Sequence, residues 1–471
     1  MGYFDYSREP KSDIAFVDMK SFYASVECVK RGLHPLKTSL CVMSRADNST
    51  GLILASSPMF KKIFGKSNVG RAYDLPFDIK TRKFSYYNAR KQGLPTDSDY
   101  VRYIEDWAQV TLIVPPRMDE YIAVNMEIQR IFQNYGSPDD IYPYSIDEGF
   151  IDLTSSLNYF IPDKNLSRKD KLDMLSARIQ RDIWRQTGIY STVGMSNANP
   201  LLGKLALDNE AKHTPTMRAN WSYQDVEEKV WAISKMTDFW GIGRRMEKRL
   251  HALGIFTIKE LATSNPDQLK KALGQAGLRL WFHANGIDES NVHKPYKAKS
   301  QGLGNSQILP RDYVKLRDIE MILREMAEQV AIRLRRAGKK TTLVSIYVGF
   351  SKQEVRPSIH TQMKVEPTNN TAILTDYVLK LFHNKYTSGA VRNVGVNYSG
   401  FVDESFGLIS LFDDVDKLEK EERLQTAIDS IREQFGFTSL LKANALEEAS
   451  RSLARSKLIG GHSAGGLDGL Q

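Results

Sequence analysis

The sequence predicts an α+β protein of several domains, and three observations support this prediction. Two separate stretches, residues 110–196 and 298–405, repeat the order strand, helix, two strands, helix, strand. The residues between them, from about 220 to 290, read as short helices separated by glycines, with almost no strand pattern. The length of 471 residues suits about three or four domains of ordinary size.

Strand patterns and a polar insertion precede the first stretch. The run DIAFVDM is apolar and β-branched, so it predicts a buried strand that ends at Asp18. Residues 36–60 predict two strands around a polar turn. Residues 78–100 are polar, basic and rich in turn residues, which predicts a loop or insertion.

The elements of the first stretch follow from apolar spacing. TLIVPPRM predicts a strand, and YIAVNMEIQRIFQNYG predicts an amphipathic helix closed by Gly136. YSIDEGFIDL predicts a hairpin, and KLDMLSARIQRDIWRQTG predicts a helix that stops at Gly188 before the strand IYSTVGMS. We therefore expect helices on one face of a mixed sheet that also contains the strand of Asp18.

The second stretch has the same order of elements. DIEMILREMAEQVAIRLRRAG carries an apolar stripe at helical spacing, and TTLVSIYVGF alternates as a strand does. SIHTQMKVE, ILTDYVLKLFHNKY and VRNVGVNYSGFV complete a second split βαββαβ unit. The remaining residues predict a charged helix and a flexible, Gly-rich tail, GGHSAGGLDGLQ.

Composition limits the class of protein. The 65 basic and 56 acidic residues give a net charge of +9, which is compatible with a polyanionic partner. The two cysteines, Cys28 and Cys41, indicate neither a cysteine-based zinc site nor a disulfide framework. No apolar run reaches the ~18 residues of a membrane span, and the N-terminus has no signal-peptide core. We expect a cytoplasmic protein without a membrane partner.

Three carboxylates are the strongest chemical signal. Asp18 closes a buried strand, and Asp147 and Glu148 lie in the middle of the predicted hairpin. Taken separately, Asp147 and Glu148 are ordinary turn residues, and Asp18 could be the N-cap of a helix. If the strands are neighbours, however, the three charges converge and require cations between them. Such a site suits two-metal phosphoryl or nucleotidyl transfer.

FVDMKSFYASVE and YSIDEGFIDL together resemble the paired motifs of Y-family translesion DNA polymerases, and in particular the UmuC-like bacterial branch. The resemblance continues through STVGMSNANPLLGKLALD and FWGIGRRMEKRLHALGI and covers roughly residues 12–412. It implies a right-hand polymerase with a ferredoxin-like palm, small fingers, a helix-hairpin-helix thumb and a βαββαβ little finger. The implied ranges are 1–23 and 108–210 for the palm, 24–107 for the fingers with an insertion near 80–107, 211–292 for the thumb, 298–405 for the little finger, and 406–471 for a clamp-motif-like segment, charged helix and tail.

The resemblance also implies an activity: low-fidelity translesion synthesis in DNA damage tolerance, as in the SOS response. Its partners would be primer-template DNA, dNTPs, the sliding clamp and accessory SOS proteins. Asp18, Asp147 and Glu148 match the catalytic carboxylates, and the main-chain carbonyl of Met19 matches a further metal ligand. The ligands imply two Mg²⁺ ions, and Mn²⁺ would suit the same oxygen donors. Tyr23 matches the steric gate, where an aromatic ring clashes with a ribose 2′-hydroxyl.

Four further residues match nucleotide-binding positions. Phe22 would pack beneath the incoming nucleotide, although a buried core ring is the simpler alternative. Lys204 matches a palm lysine that reaches the triphosphate. Lys62 matches a basic fingers position and Ser56 could donate its hydroxyl to a phosphate, whereas outside the resemblance Lys62 would be a solvated charge.

Two regions are predicted to contact DNA. Gly241, Ile242 and Gly243 form a turn before a helix, and Arg244 and Arg245 follow it. Such a turn binds phosphate without reading sequence, unless one glycine is only a helix C-cap. A second basic cluster could equally be a solvated helix end. It consists of Arg333, Arg335, Arg336, Lys339 and Lys340, of which the last four are predicted DNA contacts.

The segment LISLFDD resembles the peptide by which bacterial polymerases bind the sliding clamp. Ile409, Leu411 and Phe412 would fill an apolar pocket, although Leu408 replaces the usual Gln. The end of a core strand is the alternative.

Two other function classes compete with the polymerase. A nucleotidyl cyclase would use a similar sheet and metal-binding carboxylates, but the Gly-Ile-Gly turn and the second basic unit disfavour it. A non-catalytic DNA-binding or clamp-recruited scaffold would not need clustered carboxylates, which cost stability.

The sequence departs from the family pattern at two places. Met59 replaces a Tyr of many family members, and the palm loop MSNANPLLGK is one residue longer than usual.

Overall fold

The structure is a computed structural model, and it describes residues 4–44, 51–65, 70–294, 301–405, 415–459 and 462–463. The chain divides into two compact units. The first comprises Met1–Tyr296 with Ser463–Gln471, and the second comprises Lys297–His462. In the part of the chain so described, no helix is both long and apolar enough to cross a bilayer.

The first unit contains two sheets and a helical segment. Its strands are β1 (Ile14–Met19), β2 (Leu40–Met43), β3 (Leu52–Ser56), β4 (Gly70–Arg71), β5 (Leu112–Val114), β6 (Ile141–Pro143), β7 (Glu148–Asp152), β8 (Ser191–Ser196) and β9 (Arg218–Asn220). Its helices are α1 (Phe22–Val29), α2 (Pro58–Phe64), α3 (Tyr86–Lys91), α4 (Ser98–Val110), α5 (Met118–Phe132), α6 (Leu157–Phe160), α7 (Arg168–Thr187), α8 (Pro200–Asn209), α9 (Arg244–His251), α10 (Ile258–Thr263), α11 (Pro266–Leu273) and α12 (Gln275–Ala284).

The larger sheet has the strand order β6-β7-β1-β8-β9. Strand β1 lies antiparallel between β7 and β8, and β9 adds in parallel to β8. Taken with α5 and α7, the order β6-β7-β1-β8 is that of a ferredoxin-like βαββαβ unit, which confirms the predicted palm fold. The strand of Asp18 is therefore a neighbour of the predicted hairpin.

Helices cover both faces of this sheet, so the prediction of one covered face is wrong. Ala15 and Val17 belong to the core formed with α5 and α7. The alternate residues Ile14 and Phe16 pack instead in a cluster with Leu207 of α8. The continuous apolar run of β1 is the pattern of a strand buried on both sides.

The smaller sheet has the order β4-β3-β2-β5. Strand β5 pairs in parallel with β2, so it belongs to the smaller sheet. The prediction that it joins the larger sheet is wrong. The apolar sequence of β5 is only three residues long, so it predicts a strand but does not indicate which strand it pairs with. The predicted loop at residues 78–100 contains α3 and the start of α4, and α5 ends at Phe132, before Gly136.

The residues from about 220 to 290 form the predicted helical segment. Its core includes Phe239, Ile242, Leu250 and Leu280, contributed by successive short elements. The element before Gly241 is a single 3₁₀ turn, Met236–Asp238.

The second unit contains one large sheet. Its elements are β10 (Gly302–Tyr313), α13 (Leu316–Arg336), β11 (Lys339–Phe350), β12 (Ile359–Thr368), α14 (Thr371–His383), β13 (Val391–Asp403), α15 (Val415–Phe435), α16 (Ser452–Ser456) and β14 (Leu458–Ile459), and β15 (His462–Ser463) lies at its end in sequence. The βαββαβ order is as predicted, and the strand order is β10-β13-β11-β12, all antiparallel. Helices α13 and α14 pack on one face.

The C-terminal residues 415–459 pack on this unit through largely covered ion pairs. Arg335 lies 2.6 Å from Asp429, and Arg432 lies 3.0 Å from Glu328. The predicted clamp residues Ile409, Leu411 and Phe412 and most of the Gly-rich tail lie outside the described residues.

Candidate active site

The three predicted carboxylates converge at the end of the larger sheet. Asp18 is the register partner of Glu148 across β1 and β7. Asp147 precedes Glu148 in the loop that joins β6 to β7, and its main-chain carbonyl accepts a 2.9 Å hydrogen bond from the Met19 amide. The hydroxyl of Ser145 donates to the Asp147 carboxylate at 2.7 Å, which orients that side chain. The pairing of β1 with β7 therefore fixes the relative positions of the Asp18, Asp147 and Glu148 backbones.

Two lysines compensate the negative charge. The Lys204 ammonium lies 3.0 Å from the Glu148 carboxylate and 3.1 Å from that of Asp208. The Lys212 ammonium lies 2.7 Å from Asp208 and 3.8 Å from Asp18. Lys204 is buried, whereas Lys212 is 38% exposed, so only Lys212 has much of its side chain free to meet a ligand.

The environment of Asp18 disfavours its charge. Burial is the largest cause and raises the pKa of Asp18 to about 7. The charges of Glu148 and Asp147 raise it further, while Lys212 and Lys204 oppose the shift. An aspartate in this setting gains from a nearby cation.

The donor chemistry fits divalent cations. Among the described residues, no group of three or more His, Cys, Asp or Glu side chains is already arranged to hold a metal ion. The ammonium groups of Lys204 and Lys212 lie against Glu148 and Asp18 and supply positive charge there. Carboxylate and carbonyl oxygens are the ligands that Mg²⁺ prefers. Asp18 and its register partner Glu148, with Asp147 next in sequence, supply such oxygens at this edge of the sheet.

Tyr23 and Phe22 have different surroundings. Tyr23 is half-buried, and burial together with the charge of Asp147 raises its pKa, so its ring borders the carboxylates. Phe22 is fully buried in the core beneath the sheet. Its position favours the core alternative over a contact with the nucleotide.

The two fingers predictions fare differently. Ser56 is fully buried, and its hydroxyl lies 3.8 Å from the Cys41 sulfur, so the prediction of a phosphate contact is wrong. The prediction failed because β3 directs the Ser56 side chain toward Cys41, in the core of the smaller sheet. Lys62 lies exposed on α2, while the neighbouring Lys61 donates to the Ser21 hydroxyl at 3.2 Å, at the start of α1. Lys61 is a site residue that the sequence reasoning missed.

Lys212 is a second residue that the sequence reasoning missed. Lys204, Asp208 and Lys212 are spaced four residues apart, and the structure joins them through consecutive ion pairs. That spacing, on a segment already matched to the palm, was the available signal.

The Gly-Ile-Gly turn has the geometry of a backbone ligand site. Gly241 has φ +100°, which favours glycine, and Ile242 anchors the turn in the helical core. Gly243 is the N-cap of α9, so amide groups at the start of the helix point outward. Arg244 and Arg245 are exposed beside it. A groove with Asp208 in its wall follows the turn.

The second basic cluster is partly structural. Arg335 is largely covered and donates to Asp429 at 2.6 Å, to the Asn369 carbonyl at 2.8 Å and to Thr371 at 3.0 Å. Its assignment as a DNA contact is wrong because α15 covers it. Arg336 pairs with Glu433 at the surface and Lys339 with Asp403, while Lys340 follows on the same strand.

Comparison with protein families gives three matches along the chain. The impB/mucB/samB family matches residues 84–208, the HHH motif of the IMS family matches residues 223–255, and the impB/mucB/samB family C-terminal domain matches residues 300–411. These ranges cover the palm carboxylates Asp147 and Glu148, the Gly-Ile-Gly turn and the sheet of the second unit.

Curated relatives match along almost their whole length. A Bacillus subtilis (strain 168) protein named for UV-damage repair, UvrX, is 35% identical over 97% of this chain and 99% of its own. DNA polymerase IV 2 of Halalkalibacterium halodurans is 31% identical over 95% of this chain and 98% of its own. Among solved structures, a Y-family DNA polymerase chimera has a TM-score of 0.57 at 20% identity and covers 83% of this chain and 99% of its own. That likeness concerns the fold.

Proposed function

This chain belongs to the impB/mucB/samB family, the Y family of translesion DNA polymerases, and from that premise we propose how its residues perform the reaction. It is a DNA-directed DNA polymerase for translesion synthesis. The observation that carries the proposal is the register of Asp18 opposite Glu148 with Asp147 beside them. A nucleotidyl cyclase or a DNA-binding scaffold is not favoured, because relatives match over nearly the whole chain.

The reaction joins a primer to an incoming dNTP. The primer 3′-oxygen bonds to the α-phosphorus, the bond from that phosphorus to the α–β bridging oxygen breaks, and pyrophosphate leaves while the hydroxyl proton passes to solvent. Asp18, Asp147, Glu148 and the main-chain carbonyl of Met19 would hold two Mg²⁺ ions, or Mn²⁺ in their place. When bound, these ions lower the pKa of the 3′-hydroxyl and neutralise the triphosphate.

The basic residues of the site have separate roles. Lys212 reaches the triphosphate, because it is the more exposed of the two palm lysines. Lys204 orients Glu148 through their 3.0 Å contact, which revises its predicted role. Lys61, which lies 3.2 Å from Ser21, adds positive charge from the fingers side, and Lys62 remains a predicted phosphate contact. A lysine suits phosphate as a compact charge.

DNA is held by two surfaces. The turn Gly241–Ile242–Gly243 presents amides to a backbone phosphate, and Arg244 and Arg245 add charge. In the second unit, the sheet face opposite α13 and α14 bears small and polar residues over long strands. Register partners on that face are Gly304, Asn397, Ser345 and Gln362. Small side chains let a duplex approach this backbone closely.

Three further assignments complete the proposal. The segment with Ile409, Leu411 and Phe412 docks on a sliding clamp, and accessory proteins of the SOS response assist the enzyme. The protein acts in the cytoplasm, where the DNA is.

The test is template-directed incorporation. Purified protein is incubated with Mg²⁺, a primer-template and each dNTP singly, with templates that differ only in the first unpaired base. Incorporation that follows the template base is expected. Template-independent addition would contradict the proposal, as would conversion of ATP to a cyclic nucleotide without DNA, or DNA binding with no incorporation at any template.

A further inference from the structure

The ring of Tyr23 rests on a second tyrosine. The centroids of Tyr23 and Tyr121 are 4.3 Å apart and their planes are inclined by 13°, which is a close stack. Tyr121 lies on α5 and is fully buried, whereas Tyr23 lies on α1 and is half-buried. The stack covers one face of the Tyr23 ring and removes orientations that would tip that ring away.

Tyr121 is itself fixed by a buried carboxylate. Its hydroxyl donates to Glu27 at 2.8 Å. Glu27 is fully buried and accepts two further hydrogen bonds from the Arg117 guanidinium, at 3.0 and 2.8 Å. Arg31 also donates to this carboxylate and to the Glu27 carbonyl.

These contacts favour the ionised form of the Glu27 carboxylate. Burial opposes the charge of Glu27, but the hydrogen bonds from Arg117, Arg31 and Tyr121 outweigh it and lower the pKa of Glu27. Tyr23 and Glu27 are four residues apart on α1. The face of the Tyr121 ring and its hydroxyl therefore both contact the same helix. The Tyr23 ring, the Tyr121 ring beneath it and the Glu27 carboxylate are joined by one continuous set of contacts.

We propose that Tyr121, held by Glu27, is a positioning residue for sugar selection. The inference rests on the polymerase activity proposed above and on the steric-gate role that the sequence resemblance implies for Tyr23. An aromatic ring rejects a ribose 2′-hydroxyl only if it cannot rotate aside, and a displacement of about 1 Å is enough to change reaction rates strongly. Tyr121 supplies that constraint without touching the nucleotide.

The experiment compares kcat/KM for a dNTP and for its matching rNTP on one primer-template. Tyr121→Met keeps a buried apolar side chain but removes the stacked ring. We expect its deoxy-to-ribo ratio to fall about tenfold, with kcat/KM for the dNTP changed by less than about threefold. Tyr121→Phe keeps the ring and is expected to restore most of the ratio.

Tyr135→Met is the matched control. Tyr135 is also buried and also donates to a carboxylate, that of Asp182, but its ring is not stacked on Tyr23. Its loss is expected to lower stability while leaving the ratio unchanged. If Tyr121→Met is too unstable to assay, Glu27→Gln replaces it, because it keeps the Tyr121 ring but removes the negative charge that accepts the Tyr121 hydroxyl. The weaker contact is expected to lower the ratio about threefold.

Tyr23→Ala separates the two claims. An unchanged ratio in Tyr23→Ala would remove the gate itself and the inference with it. A reduced ratio in Tyr23→Ala, together with wild-type ratios in Tyr121→Met and Glu27→Gln, would leave the gate standing and overturn the positioning role. An equal fall in Tyr135→Met would also overturn it, because general loss of stability would then explain the effect.

Discussion

At the scale of single residues, the two lysines beside the carboxylates differ in exposure and therefore in expected role. Lys212→Ala should raise KM for the dNTP about 10–100-fold with a smaller effect on kcat, because it removes a charge-assisted contact to phosphate. Steady-state insertion kinetics measure this effect. Lys169→Ala is the control, since Lys169 pairs with Asp225 away from the carboxylates. An unchanged KM in Lys212→Ala would contradict the phosphate contact proposed for Lys212.

The buried Glu27 gives a pH-dependent contribution to stability. Its folded pKa lies below the ordinary 4.5, so its ionised form stabilises the fold above about pH 4.5, and this contribution is lost as pH falls through the lowered pKa. Glu27→Gln should lower the free energy of unfolding at pH 7 by about 3 kcal/mol, because it leaves Arg117 without its partner. Urea unfolding should show a constant gap from pH 7 to about 5 that narrows below.

Glu120→Gln is the control for this pH series, because Glu120 makes only an exposed pair with Lys30 and should change stability by less than about 1 kcal/mol. A gap between wild type and Glu27→Gln that widened on acidification would contradict the account.

Some site residues could be predicted from sequence and others could not. Asp18, Asp147 and Glu148 were predictable because strand pairing places residues at the ends of neighbouring strands together. The choice of Lys62 over Lys61, and the burial of Ser56, depend on the rotation of α2 and the facing of β3. Apolar spacing does not determine those orientations within one turn.

At the scale of elements, α8 lies so close to the sheet that position 194 of β8 requires a glycine. A Cβ on Gly194 would lie 2.1 Å from the Gly203 carbonyl and 2.4 Å from the Leu207 amide. Gly194→Ala should therefore lower the free energy of unfolding by about 3 kcal/mol, since the helix carrying Lys204 must move away. Thermal unfolding measures this loss.

Gly203→Ala is the control at the same interface. A Cβ on Gly203 would have the Gly194 carbonyl at 3.5 Å as its nearest atom, an ordinary contact, and alanine favours the helix by about 0.5–1 kcal/mol. If both variants were equally stable, the close approach of α8 would not be a constraint.

Basic residues on two helices should behave differently in DNA binding. Arg244→Ala with Arg245→Ala should weaken binding and reduce the slope of log affinity against log salt by about 1–2, because up to two phosphate contacts are lost. Arg335→Ala should leave that slope unchanged but destabilise its unit by about 2 kcal/mol, since Asp429 loses a largely covered charged partner. Titrations at several salt concentrations and unfolding curves separate the outcomes, and a reduced slope in Arg335→Ala would contradict its structural role.

Element order was more predictable than element placement. The βαββαβ order of both stretches follows from hydrophobic period and turn residues. The placement of β5 in the smaller sheet and of α8 on the second face depends on tertiary pairing, which short apolar runs do not encode. The apolar continuity of β1 was a signal for two covered faces.

At the scale of the whole molecule, the charge of +9 and the exposed basic turn agree with a protein that holds a polyanion. Family membership follows from motifs spread over the chain, and relatives match 95–97% of it. Composition alone would have left nucleic-acid binding only one of several interpretations. The order and spacing of the motifs carried the identification.

The most direct test of the central claim is primer extension with Mg²⁺ and dNTPs, with the wild type run beside Asp147→Ala/Glu148→Ala and with DNA affinity measured for both. We expect the wild type to extend the primer and the variant to do so at a rate at least about 1,000-fold lower, while both bind primer-template with equal affinity. Extension by the variant at a similar rate would contradict the assignment of these carboxylates. If both proteins bound DNA equally and neither extended the primer, the polymerase itself would be contradicted.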